Sequence, residues 1–478
     1  MDQRLISTPR SPAAARVGRL FTWLAWIVCY GFLLAVLVSV THQIVVHPRA
    51  QRIILLRGIP LPEGLKARGA PDSLAPGTAQ FFDQFGFQGI DPTTHLLFIA
   101  HTGPIPNNYD DVDHTFHSDN PADIARDGHV LVFDLQQQKL VGRVPIPRGT
   151  GLLVVPELHK VFVSGSEQNR VYSFDEPSLT NLQFLQLPEN EDPATLSYDP
   201  VHRRLFVAAP GAENHATVDV PGQLPIQNEN IDPETESLYI LDAPTLSVLT
   251  RISIGTLPKL PNEDLSAGED PPVPTVDGDV PKFGYRMDQL QYDDVTHLLY
   301  VLIEISENRN IRPHPTPPLG TAELVTIDPA TAHIIRRTTL PKSCNLLHAL
   351  VLDTAQQIAY IDCTTVDPDV PLVQHVMRMD LNTMTAFPDD PLESTVAPAP
   401  FMMALDRPQH LLFEACVGGI VVFDVRPGHF RKLGVYVIGH DKTTSIIVDE
   451  STQLIYLPVP GAGGRPTLYI AQYNPNGV

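Results

Sequence analysis

The densest group of potential metal ligands in the sequence lies in Asn107–His129, which reads NNYDDVDHTFHSDNPADIARDGH. Asp111, Asp113, His114 and His117 could supply oxygen and nitrogen ligands to a divalent cation. Carboxylate oxygens suit calcium or manganese, whereas imidazole nitrogens suit zinc. The spacing lacks the central Gly and terminal Glu of a calcium-binding helix–loop–helix. The segment therefore predicts either a divalent-cation site, with calcium as the first candidate, or a solvated acidic loop.

Several common functional motifs are missing from the sequence. It contains no Gly-x-Ser-x-Gly elbow, no Cys-x-x-Cys-His haem attachment site and no glycine-rich phosphate loop. Its formal net charge is −21 at pH 7. Because a nucleic-acid-binding surface needs clustered Lys and Arg to neutralise phosphates, we expect no nucleic-acid partner. Beyond the candidate cation, the sequence predicts no cofactor.

A short repeated pattern organises most of the chain. Its clearest copy, SYDPVHRRLFVA at 197–208, places an Asp seven residues before an aromatic residue in an apolar run. The carboxylate can accept a backbone N–H bond two residues further on and so close a hairpin turn locally. Six copies keep this spacing: Asp91/Phe98, Asp199/Phe206, Asp293/Tyr300, Asp353/Tyr360, Asp406/Phe413 and Asp449/Tyr456. A seventh copy has Phe162 but carries Val155 in place of the Asp.

A second pattern alternates with the first and consists of a period-two apolar run that ends in an Asp. Its copies end at Asp134, Asp175, Asp242, Asp328, Asp380 and Asp424, and a last copy ends at Asn474. Each pattern supplies one hairpin, so a pair predicts a four-stranded antiparallel sheet. Because such a sheet cannot bury both faces alone, seven in series predict a radial stack. We therefore predict an all-β fold, a seven-bladed β-propeller, over residues 79–478.

The strand sequences LFIA, VFVS, LFVA and LYVL, together with Leu238–Gly255 and Val325–Arg337, resemble the YVTN-repeat family of seven-bladed propellers. That family is widespread in prokaryotes and includes surface-layer and secreted proteins. The resemblance covers residues 79–478 and implies a fold rather than a ligand. The chain lacks the Thr-Asn half of the name motif and has longer loops, and it also lacks the Gly-His and Trp-Asp pairs of WD repeats.

A set of polar residues lies where the first strands of several blades are expected to open onto the central channel. These residues are Glu191, Asp192, Asp288, Asn345 and His348. The set resembles the Glu/Asn/Asp group of propeller lactonases and gluconolactonase-like hydrolases, which surrounds a divalent cation. That resemblance implies a metal that activates water or polarises a lactone carbonyl. Polar inner strands are also common in any water-filled propeller channel, so binding without catalysis stays open.

The extra chain length is expected at one end of the blades. Turns between strands 1 and 2 and between strands 3 and 4 share one face, and the other connections share the opposite face. The long segments are 102–127, 208–235, 302–321 and 362–373 within blades and 254–286 between blades. Their formal net charge is −16, most of the total for the chain. Since long loops are usually functional or disordered, this acidic face is the predicted binding face, and solvated decoration is the alternative.

The N-terminal residues predict a membrane anchor. Residues 1–19 are a polar tail with four Arg and one Asp, and residues 20–42 carry no Asp, Glu, Lys or Arg. A helix of about 20 residues spans a bilayer core of about 30 Å. A cleaved signal peptide is the alternative, although the apolar run is long for one and no Ala-x-Ala-like site follows. We predict a cytoplasmic tail, one transmembrane helix and an extracytoplasmic propeller.

Residues 43–78 are predicted to form a stalk or linker. The seventh blade has no obvious fourth strand after Asn474, and a ring must close without a bare edge. Ala79–Phe85 is the first candidate for the closing strand, and Arg52–Leu56 is the second.

Four Cys are too few for a disulfide scaffold. Cys29 lies in the predicted membrane helix and behaves there as a small apolar residue. A Cys344–Cys363 bridge within one hairpin is conceivable in an oxidising compartment. We expect buried free thiols at Cys344, Cys363 and Cys416 instead.

These predictions describe a membrane-anchored, extracytoplasmic and monomeric propeller. It would act as a binding or scaffold module for a protein or small-molecule ligand through its acidic loop face. A metal-dependent hydrolase or lactonase at the channel mouth is the alternative from a different functional class.

Overall fold

The structure is a computed structural model that describes the chain in segments between residues 52 and 477. The longer segments are 52–61, 83–104, 128–147, 149–188, 191–210, 237–254, 283–307, 322–341, 346–365, 373–388, 400–442, 445–459 and 466–477. The shorter ones are 109–110, 115–116, 213–218, 226–231, 343–344 and 392–393. Residues 56–471 belong to one compact unit.

Seven antiparallel sheets confirm the predicted seven-bladed β-propeller. Blade 1 consists of Asp83–Asp91, Leu96–Pro104, His129–Asp134 and Lys139–Pro145; blade 2 of Gly149–Val155, Lys160–Gly165, Arg170–Asp175 and Thr180–Gln186; and blade 3 of Leu196–Asp199, Arg204–Ala209, Ser237–Asp242 and Ser247–Ser253. Blade 4 consists of Phe283–Asp293, Leu298–Glu307, Glu323–Asp328 and His333–Thr339, and blade 5 of Leu346–Asp353, Ile358–Thr365, Val373–Asp380 and Thr385–Ala386, with Leu392–Glu393 paired to its third strand.

Blade 6 has three strands in the order Pro400–Asp406, Leu411–Asp424 and Arg431–Lys442. Its middle strand combines the two stretches that the sequence predicts as separate strands. The first part of this strand pairs with Pro400–Asp406, and the part from Gly419 onwards pairs with Arg431–Lys442. The blade therefore keeps both predicted pairings.

Blade 7 closes the ring with a strand from the N-terminal part of the chain. Its order is Ile447–Asp449, Leu454–Val459, Thr467–Tyr473 and, as the outer strand, Ile53–Pro60. The second candidate segment, Arg52–Leu56, thus overlaps the closing strand, which lies within the segment predicted as a stalk. The first candidate, Ala79–Phe85, is wrong, because Asp83–Asp91 is the inner strand of blade 1.

Two 3-10 helices and two small hairpins complete the described secondary structure. Two 3-10 helices, Pro156–Leu158 and Ser166–Gln168, lie in blade 2. Two small hairpins, Tyr109–Asp110 with Thr115–Phe116 and Glu213–Val218 with Ile226–Ile231, belong to the long connections of blades 1 and 3.

The repeated Asp closes its turn as predicted. In blade 3, Asp199 Oδ1 accepts the Val201 N–H at 2.9 Å, and Asp293 binds the Val295 N–H at the same distance in blade 4. The fourth residue after the Asp, or after Val155 in the copy without it, adopts a left-handed backbone with φ between 51° and 59°: His95, His159, Arg203, His297, Gln357, His410 and Gln453. In the copy without Asp, the 3-10 helix Pro156–Leu158 makes the turn.

The repeated aromatic residue fills the space between neighbouring blades. The seven side chains are almost fully buried: Phe98, Phe162, Phe206, Tyr300, Tyr360, Phe413 and Tyr456. Phe162 of blade 2, for example, belongs to a core cluster that contains Leu205 and Tyr239 of blade 3. Burying an aromatic of this size contributes about 2 to 3 kcal/mol. The fixed distance between the Asp and the aromatic residue in the repeat therefore places one buried aromatic side chain between each pair of neighbouring blades.

Cys344 and Cys363 form a disulfide, with a Cα–Cα distance of 5.1 Å, so the expectation of free thiols at these positions is wrong. Cys344 precedes the first strand of blade 5, and Cys363 lies opposite Leu347 on the second strand, so the hairpin brings them together. Cys416 is a buried free thiol. Burial, with Glu414 and Asp362 nearby, raises the pKa of its thiol to about 12.

The predicted tail and transmembrane helix, residues 1–19 and 20–42, lie outside the described residues. Within the described segments, no helix is long and apolar enough to cross a bilayer.

Candidate functional site

The structure describes part of the residue set predicted from the sequence. The candidate metal ligands Asp111, Asp113, His114 and His117 lie outside the described residues, as does Asn345. Glu191, Asp192 and His348 are described, and Asp288 is placed on the inner strand of blade 4 by its backbone. In the part of the chain that the structure covers, no group of three His, Cys, Asp or Glu side chains is arranged to hold a metal.

Glu191 lies in the connection between blades 2 and 3 and is 2% exposed. Its Oε1 accepts a hydrogen bond from Arg251 Nη2 at 2.6 Å, and Arg251 Nε donates to Ser237 Oγ at 2.6 Å. The backbone N–H groups of Glu191 and Asp192 both donate to Asn169 Oδ1 at 2.8 Å. Residues from blades 2 and 3 therefore fix this connection together.

The carboxyl group of Glu191 is electrostatically unusual. Burial raises its pKa, and Tyr239, Arg251 and Ser237 lower it without restoring the ordinary value. Its Oε2 is buried, and so is the Tyr239 hydroxyl. Burial and the nearby Glu191 carboxylate raise the pKa of Tyr239 as well. At the surface, the accessible part of this group is the half-exposed Arg251 side chain.

His348 lies on the inner strand of blade 5, in a polar contact between blades 4 and 5. Its Nε2 and Thr364 Oγ1 are 2.8 Å apart, and its backbone carbonyl accepts a hydrogen bond from Gln289 Nε2 at 2.8 Å. Gln289 Oε1 in turn accepts the Leu350 N–H at 3.0 Å. The Gln289 side chain thus makes two hydrogen bonds to the backbone of the inner strand of blade 5, one to His348 and one to Leu350.

Gln291 repeats this arrangement two residues further along the strand. Its Nε2 donates to the Leu350 carbonyl at 2.7 Å, and its Oε1 accepts the Leu352 N–H at 2.9 Å. Neither glutamine belongs to the residue set predicted from the sequence. The signal was a polar amide repeated with period two on an inner strand, in DQLQYD.

Two buried carboxyl groups were also missed. Asp362 and Glu414 are fully buried on the second strands of blades 5 and 6, and both act on Cys416. The sequence signal is an acid inside an otherwise apolar strand, in YIDC and LFEA. Acids inside apolar strands are almost never fully buried unless the fold compensates their charge.

Comparison with known proteins supports the fold and leaves the family open. No protein-family model matches the chain, and no curated protein matches it either. Among solved structures, it is similar to hydrazine synthase of Kuenenia stuttgartiensis, with a TM-score of 0.55 and 11% identity over 85% of this chain and 98% of that chain.

A second solved structure of the same fold is the β-propeller domain of Swd1 from Myceliophteria thermophila. It gives a TM-score of 0.50 and 10% identity over 88% of this chain and 100% of that chain. At such low identity the similarity establishes the propeller alone. The resemblance to YVTN-repeat proteins therefore stays a prediction.

Proposed function

We propose that this protein is a binding module that recognises a positively charged partner on one rim of the propeller. We call this the elaborated rim, defined by the ends of strands 2 and 4 and the beginnings of strands 3 and 1 in each blade. The observation that carries the proposal is the strand order, because every long segment joins strand ends of this kind. Residues 255–282, for example, follow the outer strand of blade 3 in the sequence and precede the inner strand of blade 4.

The opposite rim supports the proposal by contrast. There, Asp-containing turns such as Asp91–Leu96 and Asp199–Arg204 join strands 1 and 2 with four intervening residues. Loops at the protein surface tolerate insertion better than the strands that they connect. Insertion on one rim alone therefore favours a function located on that rim.

Charge points to the class of partner. The five long segments carry a net charge of −16, and the whole chain carries −21. A surface of one sign raises the local concentration of oppositely charged partners and speeds their association. We infer a Lys- or Arg-rich protein segment as the ligand, and we assign contacts with it to Asp192 and His348, which are partly exposed at this rim.

The structural neighbours do not select a chemistry for this chain. One is named as an enzyme, hydrazine synthase, and the other as a domain of Swd1. Both share the propeller scaffold, and function depends on the groups placed on a scaffold rather than on the scaffold itself.

The binding proposal is tested with two matched probes, a fluorescent octalysine peptide and an octaglutamate peptide. We expect the full chain to bind octalysine only, with an affinity that falls at least tenfold between about 50 and 200 mM salt. Replacing Glu213, Asp219, Glu229, Asp232 and Glu234 by Gln or Asn should weaken binding in the same direction. Equal binding of both peptides, or no effect of salt, would contradict the proposal.

We also propose that residues 20–42 anchor the propeller on the extracytoplasmic side of a membrane. The apolar run supports an anchor, and the Cys344–Cys363 disulfide supports an oxidising compartment. A chain lacking residues 1–42 should move from the membrane fraction to the soluble fraction. External protease should digest the propeller on intact cells, and protection of the propeller would reverse the assigned orientation.

A further inference from the structure

Two carboxyl groups meet at the junction of blades 1 and 2. Asp91 ends the first strand of blade 1 and is 0% exposed, and Glu176 follows the third strand of blade 2 and is 4% exposed. Thr94 Oγ1 lies 2.6 Å from Glu176 Oε1 and 3.0 Å from Asp91 Oδ2, so one hydroxyl touches both groups. Glu176 Oε2 is buried and accepts no hydrogen bond from an N–H or O–H group of the described residues.

The position of Glu176 departs from the repeat. The residue after the second-pattern Asp is neutral in the other described blades: Leu135, Ala243, Pro329, Leu381 and Val425. In most blades its backbone N–H bonds to the residue with left-handed backbone in the neighbouring turn, and Glu176 N–H keeps this bond to the His159 carbonyl at 2.8 Å. The turn therefore does not require an acid here. The acidic side chain is an addition to a turn that forms without it.

The pKa of Glu176 responds to burial, Thr94 and Asp91, and to no cation among the described residues. The remaining hydrogen bonds to Asp91 come from the Thr93 N–H at 2.6 Å and the Thr93 hydroxyl at 2.7 Å. Lys160, on the second strand of blade 2, is bound to Asp175 at 3.0 Å. Two ionised carboxylates held together in a buried site would repel each other strongly.

We propose that Asp91 and Glu176 share one proton and form a pH-operated clasp between blades 1 and 2. In the closed form, protonated Glu176 donates a hydrogen bond to ionised Asp91. Loss of the proton turns this bond into carboxylate repulsion and loosens the contact between the two blades.

The direction of the pH effect follows from linkage. Burial, reinforced by Asp91, raises the pKa of Glu176 to about 7, whereas its ordinary value is 4.5. Burial alone would raise the pKa of Asp91, but its hydrogen bonds from Thr93, Glu176 and Thr94 hold it below the ordinary value. The stabilisation from Glu176 is thus complete below pH 4.5 and is lost as the pH rises through 7. The pair titrates as one coupled unit.

The test is urea-induced unfolding of the full chain between pH 5 and 8.5. We expect the folding equilibrium constant of the wild type to fall by up to about 70-fold over this range on account of this pair. Glu176→Gln keeps a hydrogen-bond donor towards Asp91, so it should remove this part of the pH dependence and exceed the wild type in stability at pH 8.5. Asp294→Asn, which removes an exposed acid from the corresponding turn of blade 4, should leave the pH profile unchanged.

A second variant and a second readout keep the test decisive. Glu176→Leu introduces the residue that blades 1 and 5 carry at this position and should also flatten the profile. In the wild type, hydrogen exchange at pH 8.5, corrected for its intrinsic rate, should show lost protection at Glu176 and in the Asp91 turn. An unchanged profile in both variants would overturn the proposal. So would full recovery at pH 8.5 on adding calcium or potassium, because the pair would then bind a cation instead.

Discussion

Arg251, on the outer strand of blade 3, donates a hydrogen bond at 2.6 Å to Glu191, which precedes the inner strand of the same blade. The bond links the chain that enters blade 3 to the outer strand of that blade. Because Glu191 is buried and Arg251 is half-exposed, the guanidinium is the only charged group of the pair that still contacts water freely.

We predict that Arg251→Met destabilises the propeller by about 1 to 3 kcal/mol. The substitution leaves a buried carboxylate without its cation, which is costly, although the exposure of Arg251 reduces the effect. Glu191→Gln keeps an acceptor for Arg251 and should cost less. Urea unfolding of both single variants and the double variant gives the coupling energy, and purely additive effects would refute the pairing.

The Cys344–Cys363 disulfide is expected to stabilise blade 5. It joins residues 19 apart in sequence, and the chain-entropy description assigns about 3 kcal/mol to a loop of this size. The Cys344→Ser/Cys363→Ser variant should unfold at a lower temperature than the wild type, and reductant should no longer affect it. Cys416→Ser, which leaves the disulfide intact, is the matched control and should keep its sensitivity to reductant.

Replacing the turn aspartates Asp199 and Asp406 by Asn should have different effects on the stability of the protein. Burial would raise the pKa of Asp199, but hydrogen bonds from His202, Tyr292 and Val201 hold it below the ordinary value of 3.8. Burial raises the pKa of Asp406, against a single backbone hydrogen bond from Gln409 at 3.2 Å. Asp199→Asn should therefore cost about 1 to 3 kcal/mol at pH 7, whereas Asp406→Asn should cost little or stabilise the protein.

The pH dependence of these two variants supplies a second check by the same unfolding assay. The stabilisation from the Asp199 carboxylate is present above pH 3.8 and is lost as the pH falls further, so the cost of Asp199→Asn should shrink in acid. The pKa of Asp406 is raised instead, because the fold favours its protonated form. The contribution of Asp406 to stability therefore changes with pH in the opposite direction. Parallel pH profiles for the two variants would contradict this assignment.

The glutamines of blade 4 should connect it to blade 5. Gln289→Leu removes two hydrogen bonds and leaves the Leu350 N–H without its side-chain acceptor, at an expected cost of about 1 to 3 kcal/mol. Gln291→Leu should act similarly, and Gln291→Glu should disrupt more because a carboxylate cannot donate to the Leu350 carbonyl. Thermal unfolding of the three variants measures these effects, and near-neutral results would mean that the inner strands need no such bonds.

Sequence reasoning reached the fold because the information for each blade is local. The Asp199 turn depends on residues within four positions, and the buried Phe206 follows at a fixed distance, so both are visible in one short stretch. The closing strand of the ring was predicted wrongly, because the first candidate was Ala79–Phe85. Ile53–Pro60 and Thr467–Tyr473 are more than 400 residues apart, and no local pattern marks strands that must pair over that distance.

The sequence by itself determined the number of blades and the turn chemistry. Only the tertiary structure decided which polar groups meet. Asp91 and Glu176 come from different blades, as do Gln289 and His348, and the bond of Cys344 to Cys363 depends on the register of one hairpin. The reason is that a repeat specifies each blade through its own neighbours, whereas contacts between blades arise from stacking, which aligns residues that share no local pattern.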